Sequence, residues 1–295
     1  MQSQKKGKYS IGIVGKGFVG AAVAHGFSNQ TGYNADIKIY DIDPAKCQNT
    51  LDETINTSDF IFLSVPTPAS NSGAIDLSIL KSSISDINDI CNNSDSIILV
   101  RSTVTPGTTQ QLQDSFPNLN FVFNPEFLTE RSAKFDFINQ TRIILGGLSK
   151  HTSKVKGLYV DRFGEFTPVV QTTFETAELI KYMNNLFFAT KVSFLNEMKI
   201  ISDKVGADWN DAINGFILDG RIGHSHLAVP GPDGKYGFGG SCFPKDIQAM
   251  IDFGSKNGVD MNVLKGAWET NLNVRPEKDW EQLKGRAISD NHDDS

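Results

Sequence analysis

The chain has 295 residues, with 28 Lys plus Arg against 34 Asp plus Glu, a formal net charge of −6, 39% hydrophobic and 21% charged residues. That length exceeds what one core usually organises, so two domains are expected, and the composition excludes a disordered chain. The acidic balance, with no basic stripe to offset it, argues against nucleic-acid binding, and no apolar run approaches the roughly 18 residues that span a bilayer.

The first residues, MQSQKKGKYS, lack a small-residue cleavage site, so no signal peptide is expected. Residues 9–14 (YSIGIV) read as a buried strand, and a glycine turn leads from them into the helical FVGAAVAHGFSNQ. ADIKIYDID is a second strand ending in acid, and DFIFLSVPTP a third that breaks at Pro66 and Pro68. Residues 75–91 carry isoleucines and leucines at helical spacing. SIILVRST, NFVFNPEF and TRIILGG supply strands four to six. Strands alternating with helices predict an α/β fold, a Rossmann-like doubly wound parallel sheet with helices on both faces. The character changes near Phe166. Thr173 to Val205 is free of Gly and Pro and reads as one long helix, followed by helices at 208–218, 244–257 and 261–273. The expected plan is an α/β domain over 1–168, an all-helical domain over 169–280 and a disordered acidic tail over 281–295. Lys5–Lys8 and Lys150–Lys156 read as solvated faces.

Gly15, Gly17 and Gly20 form G-x-G-x-x-G directly after a strand and at the start of a helix. That context suits a pyrophosphate resting on a helix N-terminus. Asp41 ends the second strand, where a carboxylate binds ribose hydroxyls and repels a 2′-phosphate, so NAD is expected over NADP. Cys47, Cys91 and Cys242 give an odd count without ligand-like pairing, which suits a reducing cytoplasm and no disulfides. His224 and His226 have no close His or Cys partners, so no metal site is expected.

Further chemistry clusters in a few segments. RSTVTPGT puts Ser102 and Thr103 at the end of the fourth strand, where open α/β sheets bind ligands. NPEFLTE carries Glu126 and Glu130, and ETAELIKYMNN carries Glu178, Lys181 and Asn185, the last two as i, i+4 neighbours. DGRIG presents Arg221 between glycines. YGFGGSCFPKD sets Cys242 after three glycines and before Pro244, Lys245 and Asp246. Taken singly, the two glutamates fit a solvated helix face, Lys181 a surface lysine and Cys242 a small buried hydrophobe. A thiol at a helix N-terminus beside a lysine, however, is set up as a nucleophile.

In order and spacing, GKGFVG, RSTVTPGT, NPEFLTE, ELIKYMNN, DGRIG and GFGGSCFPKD resemble the UDP-glucose/GDP-mannose dehydrogenase family over roughly residues 9–275. The resemblance implies an NAD-dependent four-electron oxidation of a sugar C6 alcohol to a uronate, with UDP-glucose as the expected substrate and GDP-mannose or an N-acetylated UDP-hexosamine next. It implies that Cys242 holds the aldehyde as a thiohemiacetal and then a thioester. Lys181 would stabilise the alkoxide-like oxygen, Asn185 and Thr103 would place it or a water, and Glu126 and Asp246 would move protons. Implied cofactor contacts are Gly15, Gly17, Phe18, Val19, Gly20, Asp41, Lys46, Thr67, Thr103, Glu130 and Lys245. Implied substrate contacts are Glu126, Phe127, Leu128, Glu130, Lys181, Asn185, Phe238 and Gly239, with Arg221 reaching a neighbouring subunit of a homodimer built on the helical domain.

Members of that family continue into a third, nucleotide-sugar domain, whereas this chain stops soon after Arg275. A short enzyme, part of a longer one, and an NAD-binding, dimerising remnant are the three readings. The intact Cys242, Lys181, Asn185 and Glu126 favour an enzyme. A small 2-hydroxy-acid dehydrogenase would leave Cys242 unexplained.

Overall fold

The computed structural model describes residues 9–70 and 72–289. Lys5–Lys8 and the last residues of the expected tail, 290–295, lie outside them. The chain forms two compact units. One comprises residues up to Thr67 together with Leu77–Lys181, and the other Pro68–Asp76 with the residues from Tyr182 onward.

The first unit is built on β1 (Ser10–Val14), β2 (Asp36–Tyr40), β3 (Phe60–Leu63), β4 (Ile97–Val100), β5 (Phe121–Phe123), β6 (Ile143–Gly146) and β7 (Val169–Thr172). Their order in the sheet is β2-β1-β3-β4-β5-β6-β7. Neighbouring strands run parallel except β5 and β6, which meet antiparallel at Phe123 and Gly146. Strand periodicity divides the apolar residues between two faces. Ile11, Ile13, Phe60, Phe62, Ile97 and Leu99 pack on one side against α1 (Phe18–Phe27), α5 (Ala133–Ile138) and α6 (Ser149–Phe163). Val14, Ile61, Leu63, Ile98 and Val100 pack on the other against α2 (Leu51–Asn56), α3 (Ser78–Ile90) and α4 (Thr108–Ser115). The strand order reverses between β1 and β3, the switch point where such sheets take ligands. The short α2 is held by a capping box, Thr50 with Glu53, a motif worth about 1 kcal/mol.

The long helix α7 runs from Phe174 to Val205. Phe174 and Ala177 belong to the sheet's second core, and the helix continues into the second unit. There, Tyr182, Leu186 and Ala189 pack with Phe238, with Ile247 and Met250 of α9 (Phe243–Lys256), and with Leu264 and Ala267 of α10 (Asn262–Val274). In chain order α8 (Trp209–Ile217) comes between α7 and α9; the Asp208 carboxylate caps it by accepting from Asp211 N–H. Along α7, Met183, Phe187, Phe194, Met198, Ile201 and Val205 remain 39–69% exposed, recurring at intervals of four, seven, four, three and four residues.

Three expectations change. The strand β7 lies where a domain boundary was expected, and the compact units divide inside α7, after Lys181. Residues 68–76 belong to the second unit rather than to a domain ending at residue 168. Residues 281–289, assigned to a disordered tail, are folded: Trp280 and Ala287 are buried, Ala69 N–H donates to Ala287 O, and Ser289 N–H donates to Ala69 O. Apolar side chains and backbone pairing hold this stretch, and the acidic composition that suggested disorder belongs to residues 290–295.

Candidate active site

In the first unit the glycine turn follows β1. Gly15 has φ +88°, and its N–H donates to Tyr40 O at 3.0 Å. A Cβ on Gly15 would stand 2.6 Å from Ser64 O of the neighbouring β3 connection, and one on Gly20 would overlap Gly15 O. Nothing lies within 4 Å of a Cβ built on Gly17, which caps α1 without any side-chain bond. A helix N-terminus is thus left open in front of a close-packed turn, as a dinucleotide pyrophosphate requires. Asp41 flanks it. One carboxylate oxygen accepts from Lys16 N–H at 2.5 Å, the other from Asp43 N–H at 2.8 Å. Phe18 and Val19 begin α1 half-buried, while Lys46 is exposed and paired with Asp43 at 3.1 Å. These residues fit NAD: open backbone for the phosphates and a carboxylate for the ribose.

Across the switch point, Thr67 is buried and its hydroxyl donates to Thr103 O at 2.8 Å, while the Ser102 hydroxyl donates to Val65 O at 2.6 Å. After β5, Glu126 and Lys181 meet in the interior, 6% and 3% exposed. Lys181 Nζ donates to the Glu126 carboxylate at 2.8 Å and to its backbone carbonyl at 2.6 Å, and the other carboxylate oxygen accepts from Leu128 N–H at 2.7 Å. The ammonium also stands 5.4 Å from the centroid of Phe127. Neither the solvated-face reading of Glu126 nor the surface reading of Lys181 survives. Breaking such a buried pair from one side costs about 3–5 kcal/mol. Glu130 begins a short 3₁₀ turn and is exposed.

In the second unit Cys242 is the residue before α9, half-buried and outside any disulfide, with Sγ 3.8 Å from the Ser241 hydroxyl. Asp246 lies one turn on, and its N–H donates to Cys242 O at 2.9 Å. Its carboxylate accepts from Asn185 Nδ2 at 2.6 Å and from Lys245 Nζ at 2.6 Å, with all three side chains buried. The lysine that sequence places beside the thiol is therefore engaged with Asp246. Arg221 is 89% exposed at its side chain and forked onto Asp219, which it meets through Nε and Nη2. Among the described residues no group of three His, Cys, Asp or Glu gathers as a metal site.

Sequence reasoning missed the clamp on the glycine loop before the thiol. Asn271 is fully buried. Its Oδ1 accepts from Phe238 N–H at 2.7 Å, and its Nδ2 donates to Phe238 O at 3.0 Å. Asn196 Oδ1 accepts from Gly237 N–H at 3.0 Å. Arg275, 2% exposed, bonds Tyr236 O at 3.1 Å and carboxylates of Asp233 and Asp279, both at 2.6 Å. A Cβ on Gly239 would stand 2.5 Å from both Arg275 Nη2 and Asp279. Asn271, Arg275 and Asp279 succeed one another at i, i+4, i+8, and that polar row was the signal available.

A switch-point sheet with an open glycine turn, joined through one long helix to a helical unit, defines the dinucleotide-binding dehydrogenase folds. The family emerges from comparison. The NAD binding domain of the UDP-glucose/GDP-mannose dehydrogenase family matches residues 46–161, and the central domain of the same family matches residues 175–273. The chain belongs to that family. It is 35% identical over 231 residues to a UDP-glucose 6-dehydrogenase of Rickettsia felis, covering 77% of this chain and 50% of the relative. It is 35% identical over 234 residues to the UDP-glucose 6-dehydrogenase TuaD of Bacillus subtilis, covering 77% and 49%. The solved structure of a UDP-glucose dehydrogenase from the archaeon Pyrobaculum islandicum superposes with a TM-score of 0.78 at 26% identity, over 96% of this chain and 71% of that one. The chain spans about half the length of the curated relatives it matches.

Proposed function

We propose that this chain carries the oxidising machinery of a nucleotide-sugar 6-dehydrogenase that converts the C6 alcohol of UDP-glucose to the uronate. The observation that carries the reading is the buried Asn185–Asp246–Lys245 cluster one helical turn from Cys242. A structural cysteine needs no such neighbours. Gly15–Gly20 and Asp41 would hold NAD, and two NAD bound in succession would each accept one hydride, one for each oxidation. Lys181 supplies a desolvated positive charge for the sugar oxygen as its proton leaves, and Glu126, bonded to that ammonium, is the proton's route. Cys242 adds through Sγ to the C6 aldehyde carbon, giving a thiohemiacetal. After the second oxidation the acyl group stands on sulfur as a thioester. Water attack releases the uronate and restores the thiol. Asp246 fixes the Asn185 amide so that it can orient the oxygen or the water. Thr103 helps place the same oxygen, and Thr67, Glu130 and Lys245 act on the cofactor side.

The exposed apolar row of α7 supports a homodimer: its near-heptad spacing is what a second helix needs for knobs-into-holes packing. Arg221, exposed on its loop, is available to serve a partner's sugar site. A cytoplasmic setting fits a protein with three cysteines outside any disulfide. Among the described residues no helix is long and apolar enough to cross a membrane.

The test is NADH yield per mole of sugar nucleotide consumed, across UDP-glucose, GDP-mannose and UDP-N-acetylhexosamines. Two NADH per UDP-glucose, with the other sugars slower, is the expected result. One NADH per sugar, or none with every sugar, overturns it.

A further inference from the structure

Glu178 is a buried carboxylate to which the proposed reaction gives no task. It sits early in α7, 0% exposed. One of its oxygens accepts from Gly107 N–H at 2.6 Å and the other from Thr109 N–H at 2.8 Å. These belong to the N–H groups that a helix start leaves unpaired. Gly107 caps α4 with φ +92° and has no side chain to satisfy them. A carboxylate from about 70 positions along the chain does so instead.

The segment held this way leaves β4, passes Ser102 and Thr103, and turns through Thr105, Pro106 and Gly107 into α4. Its near end is tied by Thr67 to Thr103 O and by Ser102 to Val65 O. Its far end is tied by Glu178, the ionisable member of these contacts.

We propose that Glu178 is a positioning residue for the Thr103 turn: its ionised carboxylate caps α4 and holds residues 103–107 in the geometry that turnover uses, and protonation releases them. The importance for turnover rests on the dehydrogenase reading; the cap itself rests on the hydrogen bonds. Burial pushes the Glu178 carboxyl up to about 7, opposed by the bonds from Thr109 and Gly107 and assisted by Glu175 on the same helix. The other charged group near it on α7 is Lys181, one turn on and already paired with Glu126. The first turn of α4 (Thr108, Thr109, Gln110, Gln111) and Gly146, packed against Ala177, present no charge.

The experiment tracks the amide signals of Gly107 and Thr109 by NMR in selectively labelled protein from pH 5.5 to 8.5, wild type against Glu178→Gln. Beside it runs the NADH-forming rate with UDP-glucose over the same range. The expected result is that both amides titrate with a midpoint near 7 in wild type and stay flat in the variant. The wild-type rate should gain about tenfold between pH 6 and pH 8 from this group, a gain the variant lacks. Amides that stay constant in wild type overturn the proposal, and this needs no variant to fold. So do amides that titrate equally in both proteins. Titrating amides in a protein that turns over no sugar nucleotide support the cap and sink the dehydrogenase reading instead.

Discussion

The two glycine-rich segments of this protein are tight for different reasons. In the Gly15–Gly20 turn the space is taken by backbone: Ser64 O stands where a Cβ of Gly15 would go, and Gly15 O where that of Gly20 would go. In the Gly237–Gly240 loop it is taken by side chains: Asn271 presses on Gly237, and Arg275 with Asp279 on Gly239. The first turn is set by main-chain atoms, its own and those of the β2 and β3 ends beside it. The second has its shape imposed by residues more than 30 positions away. A backbone cradle suits a ligand that every relative of such a fold shares, whereas a side-chain clamp can be retuned for a particular substrate by changing the clamp.

The largest expected effect separates the two outright. Cys242→Ser should lower uronate formation by at least about a thousandfold, since a serine hydroxyl is a poor nucleophile without a thiolate's charge, and should leave NADH affinity unchanged by fluorescence titration. Near-normal uronate output ends the covalent assignment.

Charge sharpens the contrast next. Asp246 in the second unit has Lys245 as a direct partner, while Glu178 in the first has N–H groups. Its folded pKa, about 7, lies above the ordinary 4.5. The stability it contributes is therefore fully present below about pH 4.5 and lost as pH rises through 7, by about 3 kcal/mol. Urea unfolding of wild type and Glu178→Gln from pH 5 to 8 should show wild type losing ground to the variant. A pH-independent difference contradicts the buried charge.

Gly20→Ala and Asn271→Ala should dissociate the two segments. The first should weaken NADH binding and lower stability by about 1–3 kcal/mol through overpacking. The second should cost a similar amount in lost hydrogen bonds but act on the NADH-forming rate with UDP-glucose, sparing NADH affinity. Matching profiles from the two variants would abolish the distinction between cradle and clamp.

The smallest effect concerns Asp41. Wild type should bind NADH more tightly than NADPH, by about tenfold, from like-charge repulsion at the 2′-phosphate, and Asp41→Ser should narrow that gap. Equal affinities in wild type refute the role given to Asp41.

Six strands were legible because Ile, Val, Leu and Phe crowd them from both cores, and the glycine turn because its context is local. β7 was not: it is an edge strand whose four residues are half-buried or exposed and end in Gln171 and Thr172. The lysines at 150–156 do face outward, but they hid α6, whose inner face is His151, Thr152 and Val155. Cys242 and Asp246 could be related by helical spacing alone. Glu178 capping α4, and Asn271 pairing with Phe238, join residues whose neighbourhood exists only after folding.

Within the second unit, residues 68–76 find their partners late in synthesis. Gly73 lies against Gln248, Ala69 pairs with Ala287 and Ser289, and Asp76 accepts from the Ser289 hydroxyl across 213 positions. At a translation rate of about 5–20 residues per second, this segment leaves the ribosome roughly 10–40 s before the stretch that covers it. During that interval the chain flanking it on both sides belongs to the other unit. The sheet must therefore form around an excursion that has only its own internal bonds, such as Ser70 N–H to Ala74 O, until Gln248 and then residues 287–289 arrive.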